Sequence, residues 1–130
     1  MSDHDQRLSR PVEASEPSVA AAPARAIKDL VDLDRLVMAL PETLPKAKGG
    51  IFRQRLGQLA NLSLALRLSI ELGRPAVEIF DVCAQLDLVA RQTAHLAAKS
   101  SLPQGTQLAF QLLKGLSAQL RATMASGLLA

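Results

Sequence analysis

His95 is the residue of this chain whose type and neighbours best suit phosphoryl chemistry. Arg91 lies four residues before it and Lys99 four residues after it, so on a helix the imidazole lies between two cations. It also points away from the apolar stripe of its segment. An exposed imidazole in this setting could accept a phosphoryl group, which makes His95 the candidate phosphoacceptor. An ordinary solvated histidine is the simpler interpretation of the same pattern.

A stretch of basic residues is the second candidate, for contact with nucleic-acid phosphates. Its members are Lys46, Lys48, Arg53 and Arg55. No acidic residue occurs from Thr43 to Ser69, and Arg67 adds a further positive charge. Such a cluster could neutralise duplex phosphates and give salt-sensitive binding that ignores base sequence. A solvated loop that leads into a helix is the alternative interpretation.

Cys83 is the only cysteine, and it lies on an apolar stripe between Ile79 and Leu86. A cysteine among aliphatic side chains behaves as a small inert hydrophobe, because a reactive thiolate needs an electropositive, partly exposed setting. A zinc site needs more nitrogen or sulfur ligands than Cys83 and His95 can supply. The chain also lacks a Ser-His-Asp arrangement, a phosphate-binding loop and a dinucleotide-binding glycine pattern. We therefore expect no metal, no cofactor and no enzymatic activity.

Residues 94–101, Ala-His-Leu-Ala-Ala-Lys-Ser-Ser, resemble the acceptor helix of histidine phosphotransfer domains, which are also four-helix bundles. The resemblance implies a phosphorelay role in which Lys99 offsets the charge of a phosphorylated His95. In that family the lysine follows three residues after the histidine and precedes a glycine, whereas here Ala98 holds that position and Lys99 comes next. Pro103 also ends the helix early. From these departures we expect no phosphotransfer.

The elements that must position these residues are helices. The apolar spacing predicts four of them, at residues 26–40, 52–72, 76–99 and 106–128. Pro41 and Pro45 are expected to end the first helix, because proline lacks the amide that a helix needs and restricts the residue before it. Gly73 suits the left-handed residue that closes a helix, and Pro75 suits the first turn of the next. Short connections favour an all-α antiparallel bundle.

The segment from Leu62 to Leu72 is ambiguous, since its apolar residues fall on every second position. Strict alternation is typical of a half-buried strand, but Leu, Ala, Arg and Glu favour helix and Ile70 is the only β-branched residue. We predict a helix that is apolar nearly all round and central to a bundle or a dimer seam. The predicted partner or dimer surface consists of Leu62, Leu64, Leu66, Leu68 and Ile70.

Composition sets broad limits. The chain has 130 residues, 48% of them hydrophobic, which is enough for the core of one domain. Residues 1–24 mix Ser, Ala, Glu and Arg with three prolines and have no apolar periodicity, so we expect a disordered tail before a helical domain at 25–130. Three Phe with no Trp or Tyr argue against a stacking surface for single-stranded nucleic acid.

Several features bear on localisation. A single cysteine cannot form an internal disulfide, which favours a reducing compartment. No uncharged apolar run reaches about 18 residues, so we expect no membrane-spanning helix. The polar, acidic beginning at Met1–Arg7 lacks the order of a secretion signal. Together these features predict a cytoplasmic protein without membrane contact.

Three functional hypotheses remain, and the surplus of aliphatic surface decides their order. We favour a non-enzymatic helical adapter or regulator that forms a dimer and binds a protein partner. The alternatives are a nucleic-acid-associated accessory factor that uses residues 46–55 and a phosphorelay module that uses His95. No residue identifies the partner or the biological process.

Overall fold

The fold is seen in a computed structural model, which describes residues 21–47 and 49–129. It consists of four helices: α1 (Ala21–Thr43), α2 (Gly50–Glu71), α3 (Ala76–Ala98) and α4 (Gln104–Leu129). No strand occurs among the described residues. The all-α prediction is confirmed, and so is the helical interpretation of the alternating segment.

The helices form a closed ring in which each helix packs against two others. Contacts join α1 to α2, α2 to α3, α3 to α4 and α4 back to α1. Because short loops connect successive helices, neighbours in the ring run antiparallel. The predicted antiparallel bundle is thereby confirmed.

One end of the bundle carries the α1–α2 and α3–α4 loops. The Thr106 hydroxyl at the start of α4 donates to the Thr43 carbonyl at the end of α1, at 3.4 Å. The Phe52 and Phe110 rings meet across the ring of helices, with centroids 5.4 Å apart and planes tilted by 44°. These two phenylalanines close the otherwise aliphatic core at this end.

The core runs along the axis of the bundle and takes large side chains from every helix. Its largest fully buried members include Leu30, Leu33, Leu40, Leu56, Leu59, Leu66, Leu86, Phe110, Leu113, Leu120 and Met124. Burial of so much aliphatic surface is the main source of stability for a fold of this kind.

Helix α1 is longer at both ends than the sequence predicted. It begins at Ala21 and includes Pro23, which the first turn tolerates because its amides have no intrahelical acceptor in any case. It also continues through Pro41 to Thr43, so the prediction that Pro41 ends the helix is wrong. Near a C-terminus this proline removes only one intrahelical hydrogen bond, and the Thr43 hydroxyl donates to Leu40 O at 2.7 Å. Of the tail expected to be disordered at residues 1–24, residues 1–20 lie outside the described residues, whereas residues 21–24 belong to α1.

Two glycines allow the turns at either end of α2. A Cβ on Gly49 would lie 2.6 Å from the Pro45 carbonyl oxygen, so the α1–α2 loop leaves no room for a side chain there. Gly73 has a φ of +64°, the left-handed conformation that glycine adopts without strain. The prediction that Gly73 closes α2 is confirmed, and Pro75 precedes the first residue of α3.

Candidate functional site

The five residues of the predicted partner surface point in several directions around α2. Leu66 is fully buried, and Leu62 and Ile70 pack partly buried against the core, whereas Leu64 and Leu68 are 56% and 46% exposed. Every second residue of a helix turns by about 200°, so alternation cannot place all five on one side. The prediction of one shared surface is wrong for Leu66, which faces the core.

The outer face of α2 is defined here by its exposed residues from Gly50 to Leu72. Leu64, Leu68 and Leu72 follow one another at four-residue intervals, and Leu72 is 73% exposed. The exposed positions up to Leu68 are all uncharged, and they are Gly50, Ile51, Gln54, Gly57, Gln58, Asn61, Leu64, Ala65 and Leu68. The exposed leucines therefore lie in the half towards the α2–α3 turn, where Glu71 is also exposed, and the other half is polar apart from Ile51.

Polar contacts with α1 fix the rotation of α2. Ser63 Oγ donates to Asp34 Oδ1 at 2.7 Å, and Arg67 donates to Asp34 Oδ2 at 3.4 Å. Ser63 is buried, so this side of the helix faces α1. The opposite side, with Leu64 and Leu68, is held towards solvent.

The basic stretch lies at the loop end of the bundle, but not all of its charges are available. Lys46 is exposed and Arg55 partly buried, while Lys48 lies outside the described residues. The Arg53 guanidinium donates to the Leu44 carbonyl at 3.4 Å and helps to close the α1–α2 loop. Arg67, the fifth predicted charge, pairs with Asp34. The structure therefore leaves fewer free cations here than the sequence suggested.

His95 is exposed in the last turn of α3, as its position on the helical wheel predicts. It lies in a shallow groove between α3 and α4 with Arg91, Gln92, Gln111 and Lys114. Sequence reasoning missed Gln111 and Lys114, because their place beside His95 depends on how α3 and α4 align.

An ion-pair cluster ties α3 to α4 beside this groove. Asp87 is buried, with its side chain 7% exposed. It accepts from Arg121 at 2.9 Å and pairs with Arg91 Nε at 3.4 Å, both through Oδ2. Its Oδ1 is buried without a hydrogen-bond partner among the described residues. One carboxylate thus holds two half-exposed arginines.

Cys83 is buried on the core side of α3, as predicted. Burial raises the pKa of its thiol to about 11, against a weaker opposing effect of Arg121. At neutral pH the thiol is protonated, and this agrees with an inert structural cysteine.

Asp29 is a buried carboxylate that the sequence did not single out. Desolvation, followed by repulsion from Asp32, raises its pKa above the ordinary value, although Lys28 and Arg25 oppose the shift. Its Oδ2 has no hydrogen-bond partner within the described part of the chain, and its Oδ1 accepts a long bond of 3.5 Å from Gln119. The carboxylate is therefore a local source of instability.

Helix α4 exposes a second pair of leucines. Leu108 and Leu112 are 62% and 58% exposed. Leu112 borders a groove shared with α1 whose walls include the charged Asp32 and Arg35. This pair has the same four-residue spacing as Leu64 and Leu68, but Leu112 lies beside charged side chains.

Comparisons with known proteins point to no family. No family model matches the chain, and no curated protein or solved structure is significantly similar to it. None of the helices described is long and apolar enough to cross a membrane. Within residues 21–47 and 49–129, no group of three or more His, Cys, Asp or Glu is placed to hold a metal ion. The case for function therefore depends on the surfaces themselves.

Proposed function

We propose that this protein is a non-enzymatic helical adapter or regulatory protein that acts through protein–protein association. The observation that carries the proposal is the outer face of α2, where Leu64, Leu68 and Leu72 are exposed in a row. Exposed apolar patches of this kind usually mark interaction sites, because covering them removes apolar surface from water. The proposal places the protein in the cytoplasm, where a single unpaired Cys83 is the common situation.

The partner we propose for this face is a second copy of the chain. The two α2 helices would lie antiparallel about a two-fold axis, with Leu64 of each copy against Leu68 of the other, since two-fold dimers are the commonest assemblies. The chain has a net charge of +3, so two copies carry net charge of the same sign. The outer face of α2, uncharged from Gly50 to Leu68, supports pairing without contact between like charges.

The two alternatives have less support. A nucleic-acid contact through Lys46, Lys48, Arg53 and Arg55 has less support, because the Arg53 guanidinium donates to the Leu44 carbonyl and is turned towards the α1–α2 loop. A phosphorelay through His95 is supported by the exposure of the imidazole, but Ala98 stands where the family's lysine would be. We expect His95→Gln to leave association unchanged.

Association can be tested by sedimentation of the full chain with serine in place of exposed leucines. The double variant Leu64→Ser/Leu68→Ser should be monomeric at concentrations where the wild type is dimeric, because it removes the apolar centre of the interface. The matched control is Leu108→Ser/Leu112→Ser, which changes two leucines of the same spacing and similar exposure on α4. We expect the control to remain dimeric.

Two results would refute self-association through α2. One is a wild-type chain that stays monomeric at tens of micromolar. The other is dissociation of the α4 variant while the α2 variant remains dimeric. Circular dichroism of both variants should retain the helical spectrum of the wild type, since the four substituted side chains are all exposed.

A further inference from the structure

The part of α3 after Asp87, together with α4, carries basic side chains and no acidic ones. After Asp87 no acidic residue occurs in the chain, while Arg91, Lys99, Lys114 and Arg121 follow. Arg91 and Lys114 line one groove between α3 and α4, and Arg121 of α4 reaches Asp87 of α3. Asp87 pairs with both Arg91 and Arg121, so the two arginines outnumber the carboxylate and Lys114 adds further positive charge.

The groove that contains His95 collects donors from both helices. Arg91, Gln92 and His95 come from α3, and Gln111 and Lys114 come from α4. Every one of these side chains can donate a hydrogen bond, including a neutral imidazole through one of its nitrogens. Among the described residues Lys114 makes no ion pair. The residues that line the groove therefore offer hydrogen-bond donors and positive charge, and none of them is a carboxylate.

Asp87 gives this groove a fixed arginine. It pairs with Arg91 through Nε at 3.4 Å, which leaves the two terminal nitrogens of the guanidinium for another anion. Arg121 of α4 contacts the same Asp87 oxygen at 2.9 Å, so the position of Asp87 is itself fixed by α4. A buried carboxylate that orients an arginine reduces the conformational entropy lost when that arginine binds a ligand.

We propose that the groove between α3 and α4 binds a phosphate dianion, either inorganic phosphate or a phosphomonoester of a small molecule. Arg91 would donate two parallel hydrogen bonds to its oxygens and Lys114 would approach as a point charge from the opposite wall. His95 and the two glutamines would donate to the remaining oxygens. A phosphate has more acceptor oxygens and more charge than a carboxylate, which fits a site with two cations and three further donors. This inference concerns a different face from the proposed dimer and is independent of it.

The test follows backbone amide and histidine resonances of the full chain by NMR during titration with inorganic phosphate. Phenyl phosphate, acetate and a short DNA duplex serve as parallel probes. We expect phosphate and phenyl phosphate to shift the resonances of Arg91, Gln92, His95, Gln111 and Lys114, and acetate to bind more weakly. Lys114→Gln should raise the phosphate dissociation constant roughly tenfold, as expected for loss of one charge-assisted hydrogen bond at an exposed site.

The matched control is Lys28→Gln, which removes the same charge from an exposed position on α1 outside the groove. Its phosphate affinity should equal that of the wild type. Equal weakening by Lys28→Gln and Lys114→Gln would overturn the proposal, since diffuse attraction to a cationic protein would explain both. Acetate binding as tightly as phosphate, or a duplex that shifts these resonances while phosphate does not, would also overturn it. The second result would indicate a nucleic-acid surface instead.

Discussion

The outer face of α2 presents leucines to solvent, whereas the groove between α3 and α4 presents cations and amides. The first is uncharged from Gly50 to Leu68, and the second lies in a segment with no acidic residue after Asp87. Association of two apolar surfaces is driven by removal of apolar area from water and needs no charge. Exposed cations attract anions over a distance that shortens as the salt concentration rises. One small bundle thus carries an uncharged apolar face and a cationic groove on different helices.

The largest expected effect is a difference in stability between substitutions on the inner and the outer side of α2. Leu66→Ala should lower the free energy of unfolding by about 2–5 kcal/mol, because it leaves a cavity in the core. Leu64→Ala, the same change two residues away, should change it by less than about 0.5 kcal/mol in the monomer. Urea unfolding at low protein concentration measures both. Similar losses for the two variants would mean that α2 is rotated differently in solution.

A smaller effect, on binding rather than folding, distinguishes the two surfaces by their response to salt. Sodium chloride shortens the range of electrostatic attraction from about 10 Å at 0.1 M to about 3 Å at 1 M. Phosphate binding should weaken several-fold over this range, while the dimer dissociation constant should stay constant or fall. Sedimentation at both salt concentrations measures the dimer dissociation constant, and phosphate titration measures the phosphate dissociation constant. A dimer that dissociates in high salt would show that charges, and not the leucines of α2, hold it together.

The smallest effect concerns Asp29, whose carboxylate lies on neither surface. Its pKa is raised in the folded state, so the ionised form destabilises the fold, and this cost appears as the pH rises above the ordinary value of 3.8. Asp29→Asn should therefore stabilise the protein at pH 7 by less than about 1 kcal/mol. The difference between variant and wild type should shrink as the pH falls and vanish below 3.8. Thermal melts across this pH range test the sign, and a variant less stable than wild type at pH 7 would contradict it.

Helix α3 shows how far sequence periodicity can lead. Its apolar residues recur every three or four positions, and those on the predicted apolar stripe, Ile79, Cys83 and Leu86, are buried. Helix α2 differs because its leucines alternate. Residue types were enough to predict a helix there. Side chains at every second position of a helix point in all directions, however, so the pattern could not show that Leu66 is buried and Leu64 exposed.

The candidate sites were predictable to different degrees. The exposure of His95 followed from its helical position, and the burial of Cys83 followed from its apolar neighbours. The donors Gln111 and Lys114 could not be assigned to the same groove, since they are on another helix whose alignment with α3 comes from packing. The hydrogen bond from Arg53 to the Leu44 carbonyl could not be predicted either, because it depends on the path of the α1–α2 loop.

The amino-acid sequence was sufficient to predict that this chain forms helices, roughly where they begin and end, and which end of α2 requires a left-handed glycine. These properties depend on local propensity and on residues a few positions apart, which the chain specifies directly. The folded structure was needed to show which leucines of α2 face solvent and which donors of α3 and α4 share a groove. Those outcomes depend on the rotation and alignment of helices that are distant in sequence, and these are set by the packing of the whole core and by buried contacts such as Asp34 with Ser63.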